Sequence, residues 1–368
     1  MSPRLFDRRP LTALQVEVTS RCTRQCAICP RTVLAPIWRD GDLGDAGWDR
    51  LRNDLNLARL VHLQGWGEPL LHPRLLGMVD DAKAAGCDVS ITTNGDLLDD
   101  AIDWVVSRRV DMVTVSAAGD AATHADLCSG SPLEALWETV ARLVARRGRR
   151  KAPRVKVSYL LTRKSSEQMA RVVRAAARAG ADEFFVIHLD CTPSLELLRL
   201  AAFDASGVDP SAADAIEEAR RAARSCKIAF RAPALAEERP LVCSLNPLSF
   251  VFVSWDGKVG PCVNLGLPVQ GPIPRCVDDG PTDVERFVFG DLAESGLGEI
   301  LDGERFRSFA RSFESRIAAE RRFLEEVAGR NILDALQYLD KAERQREKDL
   351  AANPFPKACS GCHKAVGW

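Results

Sequence analysis

Apolar and polar positions repeat with two periods over the first half of the chain. Short runs at Leu14–Val18, Leu60–Gln64, Asp88–Thr92, Met112–Ser116, Val155–Leu160 and Glu183–His188 predict strands. Between them lie amphipathic stretches. Leu75, Met78, Val79 and Ala82 recur at helical spacing, and so do Leu136, Val140, Leu143 and Val144. Alternating strands and helices predict an α/β fold, in which a parallel sheet is joined by right-handed crossovers. Six such units are too few for a closed eight-stranded barrel. They predict a partial (β/α)6 TIM-like barrel.

The strands carry a second pattern. Gln15 and Glu17, His62 and Gln64, Ser90 and Thr92, Thr114 and Ser116, and Lys156 and Ser158 are polar pairs two residues apart. Period two places each pair on one face. A parallel sheet covered by helices is apolar on both faces, and a packed barrel interior is filled with branched apolar side chains. A polar interior instead predicts a lumen that holds ligand or water. The competing reading makes some of these runs edge strands with a solvated face.

The pattern changes beyond residue 230. Pro233, Pro240 and Pro247 interrupt helical periodicity. Phe250–Ser254 reads as a strand, Asp256-Gly257 as a tight turn, and Lys258–Gly260 as the returning strand of a hairpin. Residues 264–290 are rich in Gly and Pro and read as irregular loop. From about Asp302 to Leu350 a charged helical stretch follows, with Ile332, Leu336 and Leu339 as a narrow apolar stripe. Its nearly balanced charges suit a solvated helix pair packed on the barrel. The chain thus divides into a barrel at 1–230 and a small C-terminal domain at 231–368, built of a β-hairpin and helices with a charged helical insertion at about 302–350.

Composition narrows the function classes. A net charge of -1 gives no global field toward nucleic acid or an anionic membrane. The basic run Arg146–Lys151 lies between a helix and a strand and reads as a solvated connector. No signal-peptide core and no spanning apolar run are visible, so a cytoplasmic protein is expected. In a reducing compartment, twelve cysteines point to metal binding or catalysis rather than disulfides. Cys87, Cys128, Cys191, Cys226 and Cys276 fall outside the clusters and read mostly as small buried hydrophobes.

Cys22, Cys26 and Cys29 follow the first predicted strand with CxxxCxxC spacing. Three thiolates on one loop can ligate three irons of a cubane cluster and leave the fourth iron open. A structural zinc would want four closed ligands. This loop at this place resembles the radical S-adenosylmethionine (SAM) superfamily. Gly65-Trp66-Gly67-Glu68-Pro69 after the second strand resembles that family's glycine-glycine-glutamate-proline segment, which binds the amino group of SAM. Glycines permit close backbone approach, and a carboxylate attracts an ammonium. Asn94 follows the third strand, Ser116 ends the fourth where the family places a ribose contact, and Ile28 stands where a bulky residue lies near adenine. One departure is Leu127-Cys128-Ser129, where related sequences often carry an arginine for the SAM carboxylate.

Cys243, Gly257 and Cys262 resemble the opening half of the SPASM extension, and Cys359-Ser-Gly-Cys362 supplies a second pair. Four cysteines suit one auxiliary 4Fe–4S cluster, as in the shortened twitch variant, with Cys276 as a spare ligand. A structural zinc on the same thiols is the alternative. Cys359-Ser-Gly-Cys362-His363 also matches a c-type haem attachment pattern, but without a secretion signal. Gln64–Glu68 and the ending Cys359–Trp368 further resemble the radical SAM proteins thought to mature the pterin cofactor of tungsten oxidoreductases.

The resemblance implies reductive cleavage of SAM to a 5′-deoxyadenosyl radical, which abstracts hydrogen from a small-molecule or cofactor substrate. The net outcome is an oxidation or a cofactor maturation. It further implies an external one-electron donor such as a flavodoxin or ferredoxin, and no nucleic-acid or membrane partner. His188, Asp190 and Cys191 fall at the end of the sixth strand, where such barrels do chemistry. Cys191 can donate a hydrogen atom and His188 accept a proton, or both simply line the barrel. Two other classes compete: a SPASM-type peptide-modifying enzyme with a separate leader-binding partner, and a non-catalytic iron–sulfur carrier or zinc scaffold. A first strand near residue 14 leaves little room for a leader-binding domain ahead of it, and a carrier needs no Gly67-Glu68 segment.

Overall fold

A computed structural model describes residues 9–189, 191–204, 207–233, 240–277, 280–328, 332–365 and 367. Six parallel strands form as the periodicity predicts: β1 (Leu11–Val16), β2 (Ala58–Leu63), β3 (Asp88–Thr93), β4 (Met112–Ala117), β5 (Arg154–Leu161) and β6 (Glu183–His188). After them come a short ribbon of β7 (Phe203–Asp204) and β8 (Gly207–Val208), then β9 (Ala229–Arg231), β10 (Phe250–Val253), β11 (Lys258–Gly260), β12 (Ile273–Val277), β13 (Gly280–Val284) and β14 (Gly290–Asp291).

The main sheet runs β14-β11-β10-β1-β2-β3-β4-β5-β6-β9. It remains open, so the barrel is partial. Two parallel strands join the expected six: β9 beside β6, and β10 beside β1. The sequence reading missed β9 because three residues are too few to show a period. The hairpin β10–β11 turns at Gly257, whose φ of 76° suits a residue without a Cβ. Its first strand continues the barrel sheet instead of standing apart.

Alternation along the strands separates two environments. Val16, Val61, Leu63, Val89, Ile91, Val113, Val115, Val155 and Val157 are buried in the main core, on the face covered by helices. Leu75, Met78, Val79 and Ala82 of the helix Leu75–Ala84 enter that core, as do Leu136, Val140 and Leu143 of Leu133–Arg147. Each Leu, Val or Met among them contributes roughly 1.5–3 kcal/mol on burial. The intervening residues on the other face line a cavity. These are Gln15, His62, Gln64, Ser90, Thr92, Thr114, Ser116, Lys156 and Ser158. Of the expected polar positions, Glu17 departs: it is fully buried behind the wall.

The stretch read as irregular loop contains an antiparallel ribbon, β12–β13, paired from Ile273 with Val284 to Val277 with Gly280. Pro274 and Pro281 hid it, yet a two-stranded ribbon consists only of edges, where a missing N–H is tolerated. The charged stretch forms two helices, Glu304–Ala328 and Ile332–Ala352. Phe309 and Phe313 bury the first of them in the main core. The buried Arg316 ties it to the chain before β10 through the carbonyls of Pro240 and Leu241, and to the end of the second helix through that of Asn353. Of the expected stripe, Leu339 is half-buried, while the side chains of Ile332 and Leu336 lie outside the described ones. No helix among the described residues is long and apolar enough to cross a membrane.

Candidate active site and two cysteine sets

Cys22, Cys26 and Cys29 sit half-buried on the loop that leaves β1. Local bonds fix this loop. The Ser20 hydroxyl donates to the carbonyl of Arg39, the Thr19 hydroxyl accepts from the Arg21 N–H, and Arg31 donates back to the Ser20 carbonyl. Pro30, in the first turn of a short helix, ends the loop just after Cys29. Burial pushes the Cys29 thiol up to about 12 and raises Cys22, and negative charge on Cys26 adds to both. The donor set therefore favours a cationic centre that stabilises all three thiolates together.

Glu68 lies beside this loop. It is buried on the cavity wall and accepts the N–H groups of Leu70 at 3.1 Å and Asn94 at 2.7 Å. Burial raises its pKa to about 7, against those hydrogen bonds. Gly67 has no room for a side chain: a Cβ there would collide with the carbonyls of Thr19 and Arg21. Gly65 is equally tight against Glu17. The Pro69 ring is buried and opens the turn that follows. Asn94 reaches the cysteine loop, donating to the Thr23 hydroxyl at 2.9 Å, with Cys22 Sγ 3.6 Å away. Ser116 lines the cavity, and Ile28 packs with Ala118, Leu127 and Cys128.

Two residues, Arg24 and Asp96, and the bond of Cys128 to Cys26 were not legible in the sequence. Arg24, inside the cysteine motif, is buried on the wall and paired with Asp96 at 2.5 Å. Burial opposes ionisation of Asp96, but the bonds from Arg24 and Thr23 outweigh it and hold the carboxyl below its ordinary range. Cys128, read as a spare hydrophobe at the departure from the family pattern, is buried as expected, and its thiol donates to Cys26 and lowers the Cys26 pKa. Only the position of Arg24 within the motif was a sequence signal for any of these.

Cys243, Cys262, Cys359 and Cys362 come together although they are far apart in sequence. Burial pushes Cys262 up to about 12 and also raises Cys243 and Cys359, and the charges of the other members of the set add to the rise. Cys276 stands apart: burial alone raises its thiol, and its backbone is bonded to Thr192 in both directions. Cys87 is buried, whereas Cys226 is exposed and packs no core. Among the described residues, no three His, Cys, Asp or Glu side chains converge as they would around a single metal ion.

A cavity of about 640 Å³ runs from the first set toward the second. The three cysteines of the first loop form one wall. Leu245, Val263 and Lys364, each close in sequence to a cysteine of the second set, form another. His188 and Cys191 also line it, and the His188 ring stands edge-on to Phe203 at 5.1 Å. Asp190 lies outside the described residues.

The radical SAM superfamily model matches residues 16–176, spanning the cysteine loop, Glu68 and Asn94. This chain carries a radical SAM domain. The SPASM model, an iron–sulfur cluster-binding domain, matches residues 243–322 and includes the hairpin β10–β11. A radical SAM domain takes a 4Fe–4S cluster and SAM, and SPASM adds auxiliary iron–sulfur. The two thiol sets fit these groups. The tungsten-containing aldehyde ferredoxin oxidoreductase cofactor-modifying protein of Pyrococcus furiosus is 26% identical over 80% of this chain and 82% of its own. A probable GTP 3′,8-cyclase of Methanothermobacter marburgensis is 34% identical, over 30% of this chain and 36% of the cyclase. Among solved structures, anSMEcpe with bound AdoMet superposes with a TM-score of 0.58 at 13% identity, over 81% of this chain and 79% of that one. SuiB of Streptococcus suis bound to S-adenosylmethionine gives 0.57 at 14%, over 80% of this chain and 66% of that one. At such identities these structures share the fold.

Proposed function

We propose that this radical SAM protein abstracts hydrogen from a small-molecule or cofactor substrate held between the two cysteine sets, in a net oxidation or a cofactor maturation. The single observation that carries the reading is one cavity walled by the first set and reaching Leu245, Val263 and Lys364, sequence neighbours of the second set. Cys22, Cys26 and Cys29 would hold the SAM-binding cluster. Cys243, Cys262, Cys359 and Cys362 would hold the auxiliary one. When bound and reduced, the cluster and SAM together supply the 5′-deoxyadenosyl radical. The protein's part is positioning. Glu68 would face the SAM amino group, Gly65, Gly67 and Pro69 shape its approach, Asn94 steadies the loop, and Ser116 and Ile28 meet the nucleoside.

The P. furiosus relative, similar over most of both chains, supports a cofactor as the substrate. A flavodoxin or ferredoxin would deliver the electron. Cys191 would donate a hydrogen atom or His188 accept a proton at the far wall. If Cys191→Ala leaves product formation unchanged while SAM is still cleaved, the donor role is lost. The function itself is tested by adding SAM and dithionite to anaerobically reconstituted protein and assaying 5′-deoxyadenosine. A fully loaded protein that forms none is a carrier, not an enzyme.

A further inference from the structure

Strand register sorts the lumen into rows. Thr92, Thr114, Lys156 and Glu183 pair across β3, β4, β5 and β6. One step toward the C-terminal ends, Ser116, Ser158, Phe185 and Arg231 pair across β4, β5, β6 and β9. The residue that organises these rows is Glu183. It is buried, and three cations converge on it: Arg154 at 3.5 Å, Lys156 at 3.2 Å and Arg231. Burial disfavours the Glu183 carboxylate, but its bonds from Arg231 and Lys156 hold its pKa below the ordinary range, so it stays ionised. Three cations on one carboxylate leave a surplus of two positive charges.

Part of that surplus faces the cavity. Lys156 and Arg231 line it, with the hydroxyls of Thr114 and Ser158 beside Lys156, while Arg154 stays outside. Among the described residues lining the cavity, Glu68 is the one carboxylate, and it already accepts two backbone N–H groups. His62, on the adjoining part of the wall, is held neutral: burial lowers its pKa, and the Lys156 charge lowers it further. It adds hydrogen-bonding capacity without charge, through Ser90 and Gln64.

We infer that Lys156 and Arg231, with Thr114 and Ser158, form a subsite for the phosphate of a phosphate-bearing substrate. An ammonium, a guanidinium and two hydroxyls offer several separate donors on this part of the wall. They suit a tetrahedral oxyanion better than a planar carboxylate. A phosphate carries about two negative charges near neutral pH, and Lys156 and Arg231 together with Glu183 leave one positive charge on the cavity wall to attract it. Lys156 lies one face step below Ser158, which pairs with Ser116. That step is about 6–7 Å along the strand. The phosphate would thus anchor the substrate beneath the SAM site and leave its remainder pointing at the mouth. The inference rests on reading the cavity as the substrate site.

The test uses the full chain, anaerobically reconstituted, with inorganic pyrophosphate and malonate as probes in equilibrium dialysis and SAM in a parallel cell. Pyrophosphate should bind wild type, and Lys156→Met and Arg231→Met should each weaken it by about tenfold or more, as loss of a charge-assisted contact does. Lys156→Arg should retain binding, and Arg154→Met should change it by less than about twofold, as expected for a cation outside the site. Arg231 lies on an exposed edge, so its variant gives the answer even where Lys156→Met does not fold. Undetectable pyrophosphate binding, equal binding by the variants, or malonate binding as tightly as pyrophosphate would overturn the inference. A wild type that takes pyrophosphate but not SAM would instead sink the reading of the cavity as a radical SAM site.

Discussion

The indole N–H of Trp66 donates to the carbonyl of Val263 at 3.2 Å. Trp66 stands between Gly65 and Gly67 in the segment beside the first cysteine loop, and Val263 directly follows Cys262 of the second set. One side chain therefore bridges the two halves of the site. Trp66→Phe keeps a six-membered ring but removes the donor and the pyrrole part of the indole. It should cost at least about 1 kcal/mol, the net worth of one hydrogen bond, measured by urea unfolding of the reconstituted protein. No change in the unfolding midpoint would mean that the bridge carries no stability.

Glu17 supports the same segment from behind, accepting the N–H groups of Trp66 at 2.8 Å and Trp255 at 3.4 Å. Burial raises its pKa from 4.5 to about 7. A carboxyl whose folded pKa is raised contributes stability below its unfolded pKa and loses it as pH climbs through the folded value. Wild type should therefore lose stability relative to Glu17→Gln between about pH 4.5 and 7. The difference should reach about 3 kcal/mol, from 1.36 kcal/mol per unit. Parallel melting-temperature profiles of the two proteins across that window would contradict the account.

Glu68→Gln should keep iron content and lower SAM affinity. Exchange of a carboxylate for an amide at an ammonium contact costs about 1.5–3 kcal/mol, or roughly 10- to 150-fold in affinity. Dialysis of labelled SAM against the loaded protein measures it. Unchanged affinity would remove Glu68 from the SAM site.

Gly67→Ala should act on the cluster loop, because the added methyl would collide with the carbonyls of Thr19 and Arg21. Backbone cannot yield as a flexible side chain does, so a cost of about 1–3 kcal/mol and a loss of iron retention are expected. Full iron loading with wild-type stability would show that the loop accommodates the methyl.

The sequence revealed what rests on short-range pattern. Six strands, the polar lumen residues from Gln15 to Ser158, and the order of Cys22, Glu68, Asn94 and Ser116 along the chain were all legible from period and spacing. What it concealed depends on long-range pairing. The register that places β10 beside β1 is fixed by packing, and β9 is too short to announce itself. Glu17 shared the polar alternation of the lumen residues, but the crowding of Gly65 and Trp66 turned it into a buried brace. Arg24–Asp96 and the three cations on Glu183 join residues distant in sequence, and pattern alone cannot supply such partners.

The proposed function requires two iron–sulfur sites, one lining the cavity and one beside it. Iron and sulfide counts on anaerobically reconstituted protein test it most directly. Wild type should hold about eight irons, as two 4Fe–4S clusters require. A Cys22/Cys26/Cys29→Ala variant should hold about four, and so should a Cys243/Cys262/Cys359/Cys362→Ala variant. A wild type with only about four irons, all of them lost in the first variant, would contradict the second site and with it the proposed function.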